Sequence, residues 1–315
     1  MMHPIPSGTR DVLPDEMREI RAITDALREV FADEGYGEVW TPTLEYEEVL
    51  RRADVGAEPA YRVFDDHGEV LALRSDMTVP IARVVATRYA TAEPPLRFHY
   101  TQHAYRAVRP HRGMMREFLQ SGVELIGAPS PEGTAEVLRV LCRALDATGL
   151  KGYRIGLGDA SLYPALLRGL GVSEEAAGPL MRELVTRDFV GLEREVQALG
   201  LGAEDCALLT SVPQLRGGSE VLDAVDGAGD GLRELVAGLD ASVAERVIFD
   251  LGLSRGLGYY TGAVFDVLDP ALGAPLGGGG RYDDLLGRFG RPLPAAGFAL
   301  GIDRLHLALT GEERA

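Results

Sequence analysis

The sequence of 315 residues lacks the features on which several classes of protein depend. It contains no apolar run of the length that a transmembrane helix needs, which is about 20 residues. Its two cysteines, Cys142 and Cys206, are too few for a disulfide framework or a cysteine-rich zinc site. The N-terminus lacks the basic and apolar regions of a secretion signal. We therefore expect a cytoplasmic protein that does not enter a membrane.

Lysine is nearly absent, because Lys151 is the only one. This excludes a Gly-x-x-x-x-Gly-Lys phosphate loop and leaves one residue for Schiff-base chemistry, in a predicted turn. With 32 basic and 48 acidic residues the net charge is −16, which disfavours non-specific nucleic-acid binding. We predict no metal and no cofactor, since His99 and His103 have no third ligand nearby and no dinucleotide-binding glycine pattern occurs.

Hydrophobic periodicity predicts an α+β protein with a helical insertion. Residues 97–106 and 116–126 have the pattern of two long neighbouring strands, and helical periods flank them. From 160 to 243 the pattern is almost entirely helical. We therefore predict a core formed by 1–159 and 244–315, with a mainly antiparallel sheet of six to seven strands flanked by helices. The stretch 160–243 is predicted to be a helical insertion subdomain at its side.

The predicted strand 116–126 carries polar residues on one face. Because side chains alternate along a strand, Gln120, Gly122 and Glu124 lie on the same side, where Gly122 leaves room for a small ligand. A half-buried strand with a solvated polar face is the simpler alternative. The glycine run 277–280 also lets backbone approach a ligand closely, and its alternative is a tight turn.

Two other segments have residues that suit a ligand pocket. Asp76 and Thr78 lie at a predicted strand-to-helix junction, where a plain helix cap is the alternative. Arg255 precedes the paired tyrosines Tyr259 and Tyr260 in a glycine-rich segment. This combination suits a pocket that needs one cation and two aromatic hydroxyls.

Taken in order, five segments resemble the catalytic core of a class II aminoacyl-tRNA synthetase, specifically histidyl-tRNA synthetase: 6–11, 35–45, 106–124, 255–260 and 297–304. The resemblance covers almost the whole chain and implies the class II core fold. The segment 35–45 resembles the first motif, which forms the dimer, so Thr41 and Pro42 are expected near a two-fold interface. The segment 297–304 resembles the third motif, which ends in Arg304.

The same resemblance implies a histidine site. Carboxylates would bind the ammonium and imidazole N–H groups, Arg255 the α-carboxylate, and the tyrosines the ring. The residues implied are Asp76, Thr78, Arg106, Gln120, Glu124, Arg255, Tyr259 and Tyr260.

The nucleotide side departs from the synthetase pattern. Val108 replaces the glutamate that reads adenine, Met114 replaces the arginine that holds the terminal phosphate, and Gly258 replaces an aspartate. The sequence ends at residue 315, where a synthetase continues into an anticodon-binding domain, so we expect no tRNA partner. Arg106 and Arg304 remain candidates for a residual anion or nucleotide site.

A histidine pocket without these ATP contacts resembles the family of ATP phosphoribosyltransferase regulatory subunits, as does the sequence Asp76-Met77-Thr78. This implies a regulatory role without catalysis in the first step of histidine biosynthesis, and a part in feedback inhibition. The implied partners are a short-form catalytic subunit, a second copy of this chain, and L-histidine as effector. Two alternatives remain: a truncated histidyl-tRNA synthetase-like enzyme that activates histidine with ATP, and a scaffold that binds no ligand.

Overall fold

The computed structural model describes residues 5–53, 60–107, 115–254 and 258–311, except the side chain of residue 226. The α helices in these ranges are α1 (Pro14–Asp33), α2 (Glu47–Arg52), α3 (Thr78–Arg88), α4 (Glu132–Ala147), α5 (Leu162–Gly169), α6 (Glu174–Thr186), α7 (Phe189–Ala198), α8 (Ala203–Ser211), α9 (Asp230–Ala237), α10 (Ala241–Ala244), α11 (Leu285–Arg288) and α12 (Ile302–Thr310). Two 3₁₀ helices cover Val212–Gln214 and Ser219–Gly229. The strands are β1 (Gly37–Glu38), β2 (Leu44–Tyr46), β3 (Arg62–Phe64), β4 (Val70–Leu73), β5 (Leu96–Tyr105), β6 (Glu117–Ile126), β7 (Arg154–Asp159), β8 (Arg216–Gly217), β9 (Val247–Asp250), β10 (Ala263–Leu268), β11 (Gly277–Arg281) and β12 (Ala295–Gly301).

A nine-stranded sheet in the order β1-β5-β6-β12-β11-β10-β7-β9-β8 forms the centre of the molecule. Adjacent strands of this sheet pair antiparallel, except that β1 is parallel to β5 and β7 is parallel to β9. The predicted class, a mainly antiparallel sheet flanked by helices, is confirmed. The sheet has more strands than the six to seven predicted, because β1 and β8 at its two edges have only two residues each. Strands so short leave no periodic signal.

The glycine run is a strand and not a tight turn. Gly277–Arg281 pairs with β10 on one side and with β12 on the other. A Cβ at Gly277 or Gly279 would overlap the backbone of β12, so only glycine permits this close approach of the two strands. The turn alternative for 277–280 is therefore wrong. The run forms β11, which lies between β10 and β12 in the middle of the sheet.

The two faces of the sheet are covered by different helices. Val123 and Leu125 of β6 belong to the largest hydrophobic cluster, together with residues of α1 and α4. Tyr100 of β5 and Ile126 of β6 belong to a second cluster, with residues of α3 and α11. Because β6 alternates, Glu124 points away from the α1–α4 side. The candidate site therefore lies on the face that α3 covers.

A third hydrophobic cluster lies wholly within the predicted helical insertion and takes residues from α5 to α8. It ends at Leu209, whereas Leu222 and Leu232 belong to the main core. The separate cluster is thus narrower than the stretch 160–243, and the division of the chain into domains stays a prediction. Both cysteines are free and buried. None of the helices placed in the described ranges is long and apolar enough to cross a membrane.

Candidate functional site

Glu124 lies at the centre of a hydrogen-bonded group of side chains from three parts of the chain. Its side chain is almost wholly buried, with 1% exposed. Thr78 at the start of α3 donates its hydroxyl to Oε1 at 2.7 Å. Tyr282, just after β11, donates its hydroxyl to Oε2. The simpler alternative of a solvated strand face is therefore wrong for Glu124, because neighbouring elements cover this end of β6.

Two glycines shape the space around this carboxylate. Gly297 of β12 pairs with Glu124, and a Cβ on Gly297 would overlap Glu124 Oε2. Gly122 was predicted to leave room for a ligand, but the structure corrects this. A Cβ there would lie 2.8 Å from the Tyr100 hydroxyl and would overlap the carbonyl oxygen of Phe298. The space above Gly122 is thus taken by protein atoms, whereas Gly297 makes room for the carboxylate.

The environment of Glu124 favours its protonated form. Burial raises the pKa of Glu124 to about 8, and the nearby charge of Asp76 adds to the rise. The hydrogen bonds from Tyr282 and Thr78 oppose part of it, because they stabilise the ionised carboxylate. The Glu124 side chain is therefore mostly protonated at pH 7. A ligand that brings N–H donors or a positive charge would favour ionisation.

Asp76 makes the helix contact that its sequence position suggested and also lies close to Glu124. Its Oδ1 accepts a hydrogen bond from Val79 N at 3.0 Å, which is the expected contribution to the start of α3. The side chain is nevertheless buried and close enough to raise the pKa of its neighbours. The segment is held in place by Arg74, whose guanidinium donates to Thr41 O at 2.6 Å and to His103 O at 2.8 Å. A helix cap and a site residue are therefore compatible at Asp76.

Tyrosines form the apolar wall of the site. The ring of Tyr259 lies 4.9 Å from that of Tyr260 and 5.8 Å from that of Tyr282, measured between centroids. Burial raises the pKa of Tyr259, Tyr282 and Tyr100 well above the usual value, and the charge of Glu124 raises it further. These hydroxyls therefore stay protonated, and that of Tyr282 already donates its hydrogen to Glu124.

Sequence reasoning missed Tyr100 and Tyr282. Tyr282 directly follows the glycine strand, so its position was visible but its role was not. Tyr100 pairs with Gly122 across two strands. The register of β5 against β6 could have identified Tyr100, because a large residue opposite a glycine fills the space that the missing side chain leaves.

The other end of the predicted site contains Gln120 and Arg106. Gln120 pairs with Gly301, and within the described part of the chain its buried Oε1 accepts no hydrogen bond. Such an acceptor suits a ligand N–H group. Arg106 follows β5, and its guanidinium lies over the ring of Phe118 at 5.0 Å from the centroid. Gln120 therefore offers a further acceptor along β6, whereas Arg106 packs at the beginning of that strand.

Arg304 is the one further predicted residue that the described part of the chain includes. Arg304 is exposed on α12 and donates to Pro275 O at 2.7 Å. Arg255, Val108 and Met114 lie outside the described residues. The residues that the structure does gather are Asp76, Thr78, Glu124, Tyr259 and Tyr260, with Tyr100 and Tyr282 added.

The chemistry of the gathered residues suits binding of a small molecule with several N–H donors. When ionised, each carboxylate oxygen of Glu124 can accept two hydrogen bonds, and the described residues donate one to each. Asp76 provides a second carboxylate, and the tyrosine rings offer flat apolar contact. The arrangement is therefore suited to a ligand that combines an aromatic or planar group with polar N–H groups.

Comparisons with known proteins agree with this fold and with the motifs. The family model for histidyl-tRNA synthetase matches residues 8–305. An ATP phosphoribosyltransferase regulatory subunit from Symbiobacterium thermophilum is 42% identical, over 96% of this chain and 79% of that protein. One from Desulforamulus reducens is 40% identical, over 96% of this chain and 78% of that protein.

A solved structure from Bacillus halodurans shares the architecture. It is described as an ATP phosphoribosyltransferase regulatory subunit/histidyl-tRNA synthetase, and it is 35% identical to this chain. It superposes with a TM-score of 0.91, and the match covers 98% of this chain and 85% of that one. The predicted class II synthetase-like core is confirmed.

Proposed function

Because the chain belongs to the family of ATP phosphoribosyltransferase regulatory subunits, within the histidyl-tRNA synthetase-like fold, we propose that it regulates the first step of histidine biosynthesis. In this role it supports the short-form catalytic subunit, which joins ATP to phosphoribosyl pyrophosphate in the cytoplasm. It also takes part in feedback inhibition by histidine. Neither tRNA nor a membrane is a partner in this proposal.

The observation that carries the proposal is the buried carboxylate of Glu124 with its fixed donors Thr78 and Tyr282. An imidazole N–H donated to a free lone pair of Glu124 would form a charge-assisted hydrogen bond away from water, which is stronger than a neutral one. Asp76 lies near enough for the ligand's ammonium group, and the tyrosine rings contact the imidazole. Arg255 is proposed to bind the α-carboxylate.

We further propose that the chain has no catalysis of its own. Two positions that would contact ATP in a synthetase are Val108 and Met114, which offer neither a carboxylate nor a cation. Arg304, at the end of the third motif, is directed to the carbonyl oxygen of Pro275. These features disfavour the alternative of an enzyme that activates histidine with ATP.

Pyrophosphate exchange separates the two functions. The purified chain is incubated with histidine, ATP and labelled pyrophosphate, beside an active histidyl-tRNA synthetase as the positive control. We expect no exchange above background. Robust exchange would establish the enzyme instead, because label enters ATP only if an adenylate forms.

Regulation is tested with the catalytic subunit. The short chain is assayed for ATP phosphoribosyltransferase activity alone and after co-purification with this protein, with and without histidine. We expect higher activity in the complex and inhibition by histidine. Calorimetry that shows no histidine binding, even with the partner present, would favour the scaffold alternative.

A second copy of the chain is the other proposed partner, through the first-motif region. Thr41 itself is fully buried. Its neighbour Trp40 is 76% exposed, and Leu44, Tyr46 and Val63 are 40, 53 and 44% exposed. The last three share one face of the small sheet β2-β4-β3, because Tyr46 and Val63 both pair with the same residue of β4. An apolar sheet face of this kind needs a cover.

The homodimer is tested by light scattering at micromolar concentration. We expect a dimer for the wild type and a monomer for Tyr46→Asp, since a charge on this face would have to be buried in the interface. Asp66→Asn, an exposed change in the turn between β3 and β4, is the control and should leave the dimer intact. A monomeric wild type would contradict the assignment.

A further inference from the structure

Tyr282, which donates its hydroxyl to Glu124, lies between two residues that form an ion pair. Arg281, the last residue of β11, places NH2 2.6 Å from Asp283 Oδ1 and Nε 3.2 Å from Asp283 Oδ2. Because the guanidinium meets both oxygens, the orientation of the two groups is fixed as well as their distance. Only 2% of the Arg281 side chain is exposed, against 39% for Asp283, so the cation is shielded from water and the carboxylate only in part.

Further hydrogen bonds attach this short segment to the strands on both sides of β11. Ala295 N, at the start of β12, donates to Asp283 Oδ1 at 2.9 Å, and Tyr282 N donates to Ala295 O at 2.9 Å. On the other side, Asp283 N donates to Thr261 Oγ1 at 2.9 Å, two residues before β10. The backbone that carries Tyr282 is therefore fixed against both neighbouring strands.

Arg281 also reaches the start of α4. Its NH1 lies 3.2 Å from Thr134 Oγ1, in the first turn of that helix, and its NH2 lies 3.1 Å from Ala128 O, just after β6. Together with the two bonds to Asp283, four of the five N–H groups that a guanidinium carries have acceptors. The position of Arg281 is thus defined by three separate parts of the chain.

The ion pair and the Tyr282 ring lie on opposite sides of the chain. Arg281 reaches α4, whereas Tyr282 belongs to the hydrophobic cluster on the α3 side, where its hydroxyl meets Glu124 Oε2. If Tyr282 moved, Thr78 would be the one remaining donor to this carboxylate among the described residues. A carboxylate held at one oxygen would be free to turn, so the lone pairs available to a ligand would lose their fixed direction.

We infer that Arg281 and Asp283 are positioning residues, which hold the Tyr282 hydroxyl on Glu124 and so set the selectivity of the site for a ligand with an imidazole N–H. The inference rests on the proposed function, because histidine is the ligand of that site. It adds that an ion pair outside the proposed ligand contacts orients the carboxylate before the ligand arrives. Such preorganisation raises affinity, because less ordering remains to be done on binding.

The test compares two ligands, L-histidine and thiazolylalanine, a histidine analogue whose ring has no N–H group. The Kd for each is measured by calorimetry on the full chain with the catalytic subunit, below the unfolding temperature of each variant. Asp283→Asn keeps the shape of the side chain and removes its charge. Thr261→Val is a milder second variant, because it removes the acceptor of Asp283 N and leaves the ion pair in place. Asp269→Asn is the matched control, since Asp269 is a buried aspartate just after the opposite end of β10.

We expect Asp283→Asn to weaken histidine binding about five- to twentyfold and thiazolylalanine binding by less than about twofold. Thr261→Val should show the same pattern with a loss of about threefold for histidine. Tyr282→Phe removes the hydroxyl itself, so adding Asp283→Asn to it should weaken histidine binding by less than about twofold more. The control Asp269→Asn should match the wild type for both ligands.

The outcomes distinguish the inference from the proposed function. Equal losses for the two ligands, or an undiminished effect of Asp283→Asn in the Tyr282→Phe background, would mean that Asp283 only supports the fold. Either result, or wild-type affinity in Asp283→Asn, would overturn the inference and leave the histidine site standing. If Asp283→Asn does not fold, the ratio of the two Kd values in Thr261→Val decides. A wild type that binds neither ligand would overturn the proposed function and the inference with it.

Discussion

The two ends of the predicted site differ in how their side chains are held. At one end Glu124 is enclosed between β5, β12 and α3, and both of its oxygens accept hydrogen bonds from neutral hydroxyls. At the other end Arg106 packs on an aromatic ring, and Arg304 is exposed with its guanidinium on a backbone carbonyl. The first end is built around an acceptor that a ligand can still use. At the second end, the arginines make these contacts with other groups of the protein.

This difference is the basis on which we propose that the Glu124 end of the site binds the ligand. Enclosing a carboxylate costs free energy through desolvation, which the raised pKa of Glu124 records. A stable fold carries such a cost most readily where the group has a use. The exposed arginine at the other end carries no comparable cost. We therefore expect substitutions at the Glu124 end to change histidine binding strongly, and substitutions at the Arg304 end to change it little.

The largest effect is expected for Glu124→Gln. The substitution keeps the shape of the side chain and removes the charge that an imidazole N–H or an ammonium group would meet. Loss of a charged hydrogen-bond partner in a buried site costs about 2–4 kcal/mol, or roughly thirty- to a thousandfold in affinity. Calorimetric titration with histidine, in the presence of the catalytic subunit, measures the change.

Glu117→Gln is the matched control for that experiment, because it makes the same substitution near the beginning of the same strand. Its affinity should equal that of the wild type. A solvated Glu124 would instead change binding by less than about 0.5 kcal/mol. Equal affinities for Glu124→Gln and wild type would remove the basis for a histidine site at this end.

A somewhat smaller effect is expected for Gly297→Ala, which tests whether the carboxylate must stay where it is. The added methyl group would overlap Glu124 Oε2 and the backbone of β6, so the carboxylate has to move. Overpacking of this kind costs about 1–3 kcal/mol of stability. We expect at least tenfold weaker histidine binding and a lower unfolding temperature.

Gly287→Ala serves as its control. The Cβ there would meet Pro292 at an ordinary contact distance of 3.8 Å, and the position is far along the chain from β6. Normal histidine binding by Gly297→Ala would show that the position of the Glu124 carboxylate does not matter, which would contradict the geometry proposed for the site.

A third effect concerns stability and pH in the ligand-free protein. The pKa of Glu124 is about 8 in the folded chain and near 4.5 when unfolded, so the folded state binds the extra proton between these values. The stability that this group contributes is present below about pH 4.5 and is lost as the pH rises through 8. The unfolding temperature of Glu124→Gln minus that of the wild type should therefore increase between pH 6 and pH 9. A constant difference across that range would show that Glu124 titrates normally.

The smallest effect is expected at the nucleotide side. Arg304→Gln and Val108→Glu should change histidine affinity by less than about twofold, since neither residue has a role in the proposed histidine contacts. Calorimetry under the same conditions as for Glu124→Gln gives the comparison. A tenfold loss in Arg304→Gln would mean that the two ends of the site do not differ in the way described.

Local pattern was enough to predict the long elements and several of the site residues. The alternation of β6 placed Glu124 and Gln120 on one face, and the junction before α3 placed Asp76 and Thr78. The roles of Gly122, Gly297 and Tyr282 could not be predicted, because they depend on strands far apart in sequence that meet in the sheet. The glycine strand 277–281 has no side-chain period at all, so only its pairing with β10 and β12 shows that it is a strand.

The most direct test of the central claim is histidine inhibition of the reconstituted ATP phosphoribosyltransferase complex. The short catalytic subunit is combined with wild-type chain or with Glu124→Gln, and activity is measured over a range of histidine concentrations. We predict that both complexes are active without histidine and that inhibition by histidine is shifted at least thirtyfold to higher concentration in the variant. Identical inhibition curves would contradict the claim that histidine is sensed at Glu124 of this chain.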